Sequence, residues 1–548
     1  MKFRHLLLVV LSCYTVHLLG QDRFQAVLGS AHFETLTNSL SAGNEFIHTG
    51  YGIGYVNSSE DALIFRTDSM GFPLWVKSFG GSADDRAHVI LPEPDGFVVA
   101  GRTYSFGAGD RDYFFAKIDE DGNFQSFKTY GGPYDDRFNS MIALQDGGYV
   151  MTGGTYSGIL GSCDVPIIKI NKDGDVVWSR VYGGYNFEIA YAIAEDPEGA
   201  IVTAAYSNSF TQNGIEDIYL IKTDALGNTL WAKTFGGTGI DRITSHKALD
   251  IDDSGNIYVA VYSFSFGFGE RDWYVLKVSP QGDLIWAYAY GGNLTDTPYN
   301  VMINSEGNVM IAGHTSSAES ENKDAWAMLV DPNGSILWSR VFGGDGEDWF
   351  SQLQESSSNY YTGSGSSSSF GAGLDDIFIT RFETISQESC YGYEYIPNAQ
   401  SAPTTVLNAN QSRSFSLLEI SQIPTDQIQV HDEEFDYELV CLDTGALNFN
   451  DNFSSPDGFK LFPNSPNPFN PTTQIKFTLS KAERVKIQIY DALGRKVRDL
   501  VFEQYPAGEH IVEWDGINNE GQLCTSGLYY CQINAGNFQT GRKMTLLK

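Results

Sequence analysis

A pair of adjacent glycines recurs along the chain at intervals of 51 to 55 residues. The pairs begin at Gly80, Gly131, Gly183, Gly236, Gly291 and Gly343. A regular period means that one small module is repeated, and a period near 50 residues is typical of the four-stranded sheet that forms one blade of a β-propeller. The repeat therefore constrains the fold more than any other feature of the sequence.

Each interval contains the same series of alternating apolar segments, such as GFVVAGRTYS, DYFFAKID and WVKSFGG in and around the second module. Alternation with a period of two residues, bounded by glycine-rich turns, predicts four β-strands per module. The turn before the fourth strand ends in a glycine such as Gly227, which predicts a type I turn with a positive φ at that residue. Trp231, four residues later, represents a recurring ring that we expect to lie between neighbouring sheets.

Six complete modules and a seventh incomplete one, 344–382, can be counted. The seventh lacks a fourth strand, and residues 24–30 have the pattern of one. We predict that this segment completes the last sheet and closes the ring, since closure removes open sheet edges. The predicted fold is all-β: a seven-bladed β-propeller over residues 21–382, closed by an N-terminal strand, then a connector and a C-terminal Ig-like β-sandwich.

Residues 1–20 have the organisation of a signal peptide, with Lys2 and Arg4 before an apolar run and the small residue Gly20 before a polar chain. We therefore expect export, and no transmembrane anchor, because no other segment is suited to span a bilayer. The chain has 68 acidic and 35 basic residues and a net charge of −33. This balance argues against nucleic acid as a partner, because a polyanion requires a basic surface.

An acidic residue recurs four positions after the second glycine of each pair, at the predicted start of the innermost strand. These residues are Asp85, Asp136, Glu188, Asp241, Asp296 and Asp348, with Glu34 at the aligned position of the first module. A second acidic set opens the third strand, and both sets are predicted to lie on one face. Such acids can accept backbone hydrogen bonds at turn exits. The alternative is a site for sugar hydroxyl groups or for a divalent cation such as calcium; no other cofactor or metal is expected.

Three modules carry a longer glycine loop on the same face, around Phe106, Phe266 and Phe370. Each loop places a phenylalanine where it could contact a ligand, and packing of the ring against its own sheet is the alternative. The sequence contains no nucleophile elbow, no HExxH zinc motif and no phosphate-binding loop. No catalytic residue can therefore be assigned from motifs.

Residues 383–461 differ in composition from the repeats and are predicted to be a connector with two or three short strands. Five cysteines follow the signal peptide, an odd number, so at least one is not in an intramolecular disulfide. Cys390–Cys441 and Cys524–Cys531 are the candidate disulfides, and the spacings are unlike those of a zinc site.

Residues 462–548 contain short alternating segments that predict an Ig-like sandwich. Its distinctive residues are Pro463, Asn464, Asn467, Pro468, Gly494, Trp514, Asp515, Gly516, Gly527, Tyr529, Lys543 and Lys548. In these motifs the segment closely resembles the type A C-terminal sorting domain of the bacterial type IX (Por) secretion system. The resemblance implies that the type IX machinery is a partner, and that the protein crosses the outer membrane and is then released or held at the cell surface.

The sequence predicts delivery and architecture more sharply than activity. Our first hypothesis is a secreted or cell-surface propeller that binds an extracellular ligand, for which a glycan is one candidate, without catalysis. One alternative is a secreted carbohydrate-active or other hydrolytic enzyme, for which two carboxylates roughly 5–10 Å apart in a cleft would be evidence. Another is a structural surface component with no ligand.

Overall fold

The computed structural model describes residues 23–29, 34–42, 45–53, 59–68, 71, 73–157, 162–211, 213–318, 322–357, 360–370, 376–383, 392–394, 397–408, 412–413, 419–422, 429–432, 436–443, 460–462, 464, 466, 469–479, 481–491, 496–519, 521–524, 527–535 and 538–546. Every regular secondary-structure element in these ranges is a β-strand. The described residues contain no helix long and apolar enough to cross a membrane. The predicted signal peptide, 1–20, lies outside them. Two compact units are present, Phe24–Cys441 and one that contains Leu442–Lys548.

The first unit contains seven antiparallel sheets, each built on four strands in the order of a meander. Sheet 1 comprises Glu34–Ala42, Glu45–Ile53, Glu60–Asp68 and Pro73–Gly80; sheet 2, Asp85–Glu93, Gly96–Thr103, Asp112–Ile118 and Phe124–Gly131; sheet 3, Asp136–Ala143, Tyr149–Thr155, Val165–Ile170 and Val176–Tyr182; sheet 4, Glu188–Glu195, Ile201–Ser207, Asp217–Thr223 and Thr229–Gly236. Sheet 5 comprises Asp241–Arg242 with Leu249–Ile251, then Ile257–Ser263, Asp272–Val278 and Leu284–Gly291; sheet 6, Asp296–Ile303, Val309–Thr315, Asp324–Val330 and Ile336–Phe342; sheet 7, Asp348–Ser357, Tyr360–Ser367, Asp376–Glu383 and Arg23–Gly29.

The fourth strand of sheet 7 comes from the N-terminus, as the repeat count predicts. Phe24 pairs with Arg381 and Leu28 with Ile377 in an antiparallel register. Each sheet contacts the next one in chain order, and sheet 7 contacts sheet 1. The seven sheets therefore contact one another in a cyclic order.

Aromatic side chains join neighbouring sheets, as the sequence predicts. Trp231 of sheet 4 lies against Gly282 in the turn of sheet 5, and its indole N–H donates to the carbonyl of Pro280 over 3.0 Å. The hydroxyl of Tyr182 donates to the carbonyl of Gly227 over 2.6 Å. Gly227 has a φ of 78°, a conformation that glycine adopts without steric strain.

The described residues between 392 and 443 form seven strands rather than the two or three predicted for a connector, and we call these strands the belt. Each belt strand pairs with the outermost meander strand of a different sheet. In chain order they are Gly392–Glu394 on sheet 6, Asn398–Ser401 on sheet 5, Thr405–Asn408 on sheet 4, Ser412–Arg413 on sheet 3, Glu419–Gln422 on sheet 2, Gln429–Asp432 on sheet 1 and Asp436–Asp443 on sheet 7. The first unit therefore extends past the predicted boundary at 382, because main-chain pairing at each outer edge incorporates the connector.

The second unit contains two antiparallel sheets that enclose a core including Phe477, Ile487, Trp514 and Ile533. One sheet comprises Lys460–Leu461, Thr473–Leu479 and Gly508–Trp514; the other, Lys496–Tyr505, Glu483–Asp491, Gly527–Ala535 and Phe538–Leu546. This is the predicted Ig-like domain.

The candidate Cys524–Cys531 disulfide is not formed. The thiol of Cys531 is free, and both residues are buried in the core of the second unit. Cysteine in such a core packs as a small apolar residue, and burial raises the pKa of the Cys531 thiol. Cys390 and the side chain of Cys441 lie outside the described part of the chain, so the other candidate pairing stays a prediction.

Candidate functional site

The recurring acids at the start of each first strand are buried inside the first unit. The side chain of Glu34 is not described, and the other six residues are at most 4% exposed. Each of the six accepts a backbone hydrogen bond from the second glycine of the preceding pair, over 2.7–3.0 Å. The acceptors and donors are Asp85 and Gly81, Asp136 and Gly132, Glu188 and Gly184, Asp241 and Gly237, Asp296 and Gly292, and Asp348 and Gly344.

Serine hydroxyl groups satisfy these carboxylates further. Asp241 accepts hydrogen bonds of 2.5 Å from Ser263 and 2.7 Å from Ser265. Burial raises the pKa of Asp241, and the bonds from both serines act in the opposite direction. Equivalent serine bonds reach the other five acids. This is the structural alternative foreseen for the repeated acids: they fix loops and do not face a cleft.

The second set of acids lies beside the first, at the first glycine of each pair. A Cβ on Gly291 would overlap the carboxylate oxygens of both Asp272 and Asp296, so this close approach requires glycine. Burial, and then the charge of Asp296, raise the pKa of Asp272 to about 6. Burial and the charge of Asp241 raise the pKa of Asp217 to about 7.

The three phenylalanines of the glycine loops pack against the sheets. The ring of Phe106 lies 5.6 Å from that of Phe127, and the ring of Phe266 lies 4.9 Å from that of Tyr274. Phe370 packs against the core between sheets 6 and 7. The rings therefore stabilise the loops, and Phe264, 52% exposed, is a more accessible aromatic residue of the second loop.

A β-bulge interrupts the pairing of the first two strands in six of the seven sheets. The bulged residue is always the third after the recurring acid: Thr37, His88, Asn139, Tyr191, Tyr299 and Ser351. A bulge redirects a side chain, and all six residues line one cavity. In sheet 5 the first strand is broken altogether, and Thr244, Ser245 and His246 line the same cavity.

The cavity has a volume of about 420 Å³, within the range of small-molecule sites. Its remaining lining residues are Thr35, Leu36, Tyr51, Arg86, Arg102 and Trp349. Every sheet contributes to it. Among the described residues that line it there is no aspartate or glutamate, so the two carboxylates expected of a glycosidase are not brought together here.

The break in sheet 5 carries the chain across the space that the first strands surround. His246 is hydrogen-bonded to Asn38 of sheet 1 over 3.2 Å. The backbone carbonyl of Lys247 accepts a hydrogen bond of 2.8 Å from the backbone N–H of Val301 in sheet 6. Sheets 1 and 5 are not neighbours in the cyclic order, so residues 243–248 obstruct the centre and make the space a cavity.

The arginines Arg86 and Arg102 give the lining of the cavity its positive charge. Arg86 is paired with Glu60 and stacks 4.3 Å from the ring centre of Tyr51. Arg102 lies directly across the strand pair from Arg86. Burial and the charges of Arg86 and Arg111 lower the pKa of Arg102 to about 10.

The repeated acids are the most regular polar feature of the sequence, and the residues that line the cavity are not among those predicted as site residues. The sequence contains a usable signal three positions further along: the third residue after each acid is variable, whereas the acid is nearly constant. Variation at a fixed position of a symmetric repeat distinguishes a site from the scaffold. The bulge that directs this residue inward depends on three-dimensional pairing, so the alternating pattern alone does not reveal it.

In the second unit, the described motif residues have structural contacts. Asn464 is 5% exposed and donates to the hydroxyl of Thr473 over 2.8 Å. Trp514 packs 5.1 Å from Tyr529, and Gly516 has a φ of 69°. Asp515 accepts a bond of 3.2 Å from the backbone N–H of Ile517, and Gly527 and Lys543 lie in adjacent strands. Outside the described residues lie Pro463, Asn467, Pro468, Gly494 and Lys548.

Comparison with known proteins agrees with the Ig-like domain. The model of the FlgD Ig-like domain family matches residues 465–538. No curated protein sequence matches the chain.

Three solved structures show limited similarity. A puromycin hydrolase has 14% identity and a TM-score of 0.37, and the match covers 61% of this chain and 50% of that one. The polysaccharide lyase Uly1 has 10% identity and a TM-score of 0.39, covering 64% and 90%. PorZ, a surface component of the type IX secretion system of Porphyromonas gingivalis, has 10% identity and a TM-score of 0.19, covering 96% and 100%. The chain thus spans about half the length of the puromycin hydrolase, and at these low scores none of the matches assigns an activity.

Proposed function

We propose that the first unit is a seven-bladed β-propeller that binds an extracellular ligand in its central cavity. The propeller is supported by seven meander sheets in cyclic contact and by the pairing of the N-terminal strand with Asp376–Glu383. The observation that carries the binding function is the cavity of about 420 Å³, to which every sheet contributes a side chain at the same repeat position. The recurring acids are nearly constant between the sheets, whereas the cavity-lining residue three positions later differs from sheet to sheet. The regular sheets therefore present a chemically varied lining that could select one ligand.

Hydrolysis by a carboxylate pair is the competing function, and the lining of the cavity disfavours it. Glycosidases place two carboxyl groups about 5–10 Å apart around the reacting bond. The carboxylates of Asp272 and Asp296 lie close together at Gly291, but both residues are buried: Asp272 is 1% exposed and Asp296 is 0% exposed. A substrate could not reach them without opening the interface between sheets 5 and 6.

The test is a binding screen of mature chain 21–548 against neutral and charged saccharides and small metabolites, measured by calorimetry and thermal shift. Trp349→Ala and Tyr191→Ala remove aromatic rings from the cavity lining. Leu337→Ala, at a residue 54% exposed outside the cavity lining, is the matched control. We expect at least one class of compound to bind the wild type and the control but not the cavity variants. Turnover of a bound compound would favour the enzyme instead.

We further propose that the protein is exported by its N-terminal signal peptide and then by the type IX machinery, with residues 462–548 as the sorting domain. The motif resemblance and the Ig-like fold of the second unit support this assignment. Deletion of 462–548 in the native host should leave the protein in the periplasm. Normal appearance of the truncated protein outside the cell would refute the assignment without affecting the proposal for the cavity.

A further inference from the structure

We propose that the cavity recognises an anionic group, a carboxylate, sulfate or phosphate carried by a small ligand, and that Arg102 is the residue that binds it. This inference rests on the proposed binding function and specifies the chemistry of the ligand. It concerns the lining of the cavity and not the buried acids.

Three neighbouring arginines differ in their pairing with carboxylates. Arg86 is held by Glu60, and Arg111 donates two hydrogen bonds to Asp135, of 2.6 and 2.7 Å. The guanidinium group of Arg102 has neither an ion pair nor a hydrogen bond with any residue in the described ranges, although Arg102 lines the cavity. A partly buried guanidinium without a partner is unfavourable unless an anion reaches it.

Arg102 also occupies an unfavourable position on its strand. It lies directly opposite Arg86 in the antiparallel pair Asp85–Glu93 and Gly96–Thr103. Like charges at directly opposed positions destabilise a strand pair. A second arginine at this position therefore destabilises the strand pair when no ligand is bound. An anionic ligand between the two guanidinium groups would be attracted by both and would offset their repulsion.

A histidine, His88, lines the same cavity as Arg102. The Nε2 atom of His88 is buried and has no hydrogen-bond partner in the described part of the chain. Burial and the positive charge of Arg102 lower the pKa of His88 well below its usual value. A neutral imidazole beside a guanidinium can donate one N–H to an oxyanion of the ligand. The described residues that line the cavity include no carboxylate that would accept this hydrogen bond in place of the ligand.

The remaining lining fits a ligand with a compact ring or chain attached to the anionic group. Tyr51, Tyr191, Tyr299 and Trp349 provide aromatic surface, and Thr37 and Asn139 provide hydrogen-bonding groups. The chain as a whole has a net charge of −33, which repels free anions over long distances. A local cluster of guanidinium groups is therefore needed to admit one.

The experiment compares compounds that share one body and differ in charge: glucose, glucuronate, glucose 6-sulfate and glucose 6-phosphate. Their affinities for mature chain 21–548 are measured by calorimetry in low-salt chloride buffer. Arg102→Gln removes the proposed contact. Arg180→Gln, in the fourth strand of sheet 3 and outside the cavity lining, is the control of equal charge change. Acetate, inorganic sulfate and inorganic phosphate are tested alone by thermal shift, at matched ionic strength.

We expect at least one charged sugar to bind about tenfold or more tightly than glucose, and Arg102→Gln to remove about tenfold or more of that affinity, as loss of a charged hydrogen bond predicts. Arg180→Gln should bind as the wild type does. In the absence of ligand, Arg102→Gln should raise Tm, because it removes an unpaired cation opposite Arg86.

Two results would overturn the inference alone: glucose binding as tightly as its charged relatives, or undiminished anion affinity in Arg102→Gln. A fall in Tm of that variant in ligand-free buffer would assign Arg102 a structural role and also contradict it. If none of these compounds binds, the inference fails, and the wider screen described above decides whether the cavity binds another ligand. If binding persists in both Arg102→Gln and Trp349→Ala, the cavity is not the site and the proposed function fails as well.

Discussion

The carboxylate of Asp241 accepts a hydrogen bond of 2.8 Å from the backbone N–H of Gly237, four residues earlier in the chain. The carboxylate is 0% exposed and also accepts bonds from Ser263 and Ser265. One side chain therefore connects the end of sheet 4, the start of sheet 5 and the loop that follows its second strand. Five other acids accept the equivalent hydrogen bond from a backbone N–H four residues earlier. The contact is therefore a recurring structural feature of the repeat.

Replacement of Asp241 should cost stability rather than ligand affinity. Asp241→Ala leaves the backbone N–H of Gly237 and two serine hydroxyl groups without their acceptor, and we expect a loss of about 2–4 kcal/mol in the free energy of unfolding. Asp283→Ala, at a carboxylate 78% exposed in an ion pair with Lys233, should change it by less than about 0.5 kcal/mol. Denaturant unfolding measures both. A stable Asp241→Ala protein with altered ligand affinity would restore the ligand-face hypothesis.

Glycine at position 291 should be irreplaceable for steric reasons. In Gly291→Ala the new Cβ would overlap the carboxylates of Asp272 and Asp296, and we expect a loss of about 2–4 kcal/mol. Gly307, whose φ is 81°, has no atom within 4 Å of its ideal Cβ, so Gly307→Ala should lose only about 1 kcal/mol from backbone strain. Equal losses in thermal unfolding would show that contact with the acids is not the reason for glycine at position 291.

The raised pKa of Asp217 predicts an unusual pH dependence. The folded pKa of about 7 exceeds the unfolded value of about 4, so the folded state binds this proton more tightly. The protonated Asp217 carboxyl group therefore contributes stability that is fully present below pH 4 and is lost as the pH rises through 7. Asp217→Asn should therefore have little effect near pH 4 and stabilise the protein by at least about 1 kcal/mol above pH 7.

Chemical denaturation at pH 5 and pH 8 tests this sign. Asp175→Asn is the control, because a hydrogen bond from Lys128 lowers the pKa of Asp175 and its removal should not stabilise the protein at either pH. If Asp217→Asn destabilises the protein at pH 8, the carboxylate is held in its charged form and the raised pKa is wrong.

The belt should be required for the seven-sheet unit to remain monomeric. Truncation after residue 383 removes the seven strands that cover the outer edges of the sheets, and exposed edges promote association between chains. We expect this variant to aggregate or to unfold at lower temperature, whereas truncation after residue 445 should remain monomeric with a near-native Tm. Light scattering after gel filtration measures the mass. A soluble, monomeric 21–383 fragment of native stability would show that the belt only connects the two units.

Several features of the fold could be predicted because they depend on local periodicity. The alternating strands, the positive φ at Gly227 and the pairing of residues 24–28 with 377–381 all follow from a pattern repeated at a fixed interval. The belt could not be predicted in this way. Its strands are two to eight residues long and pair through the main chain, so they require no strong apolar alternation.

The same distinction applies to the candidate site. Sequence symmetry drew attention to Asp85, Asp241 and Asp348, and the structure places them in the interior with backbone donors. The residues that line the cavity, such as His88 and Tyr299, occupy bulges. A bulge is a property of two paired strands, and no single strand segment specifies it.

The sequence by itself determined the number of sheets, the order of strands within each sheet, the strand that completes the seventh sheet and the Ig-like domain that follows. Each of these depends on alternation and turn chemistry that neighbouring residues supply. Only the tertiary structure decided which polar groups are enclosed and which line an accessible space. Burial and charge pairing are sums over residues far apart in the chain: Arg102 differs from Arg86 and Arg111 only because no described carboxylate from another segment reaches it.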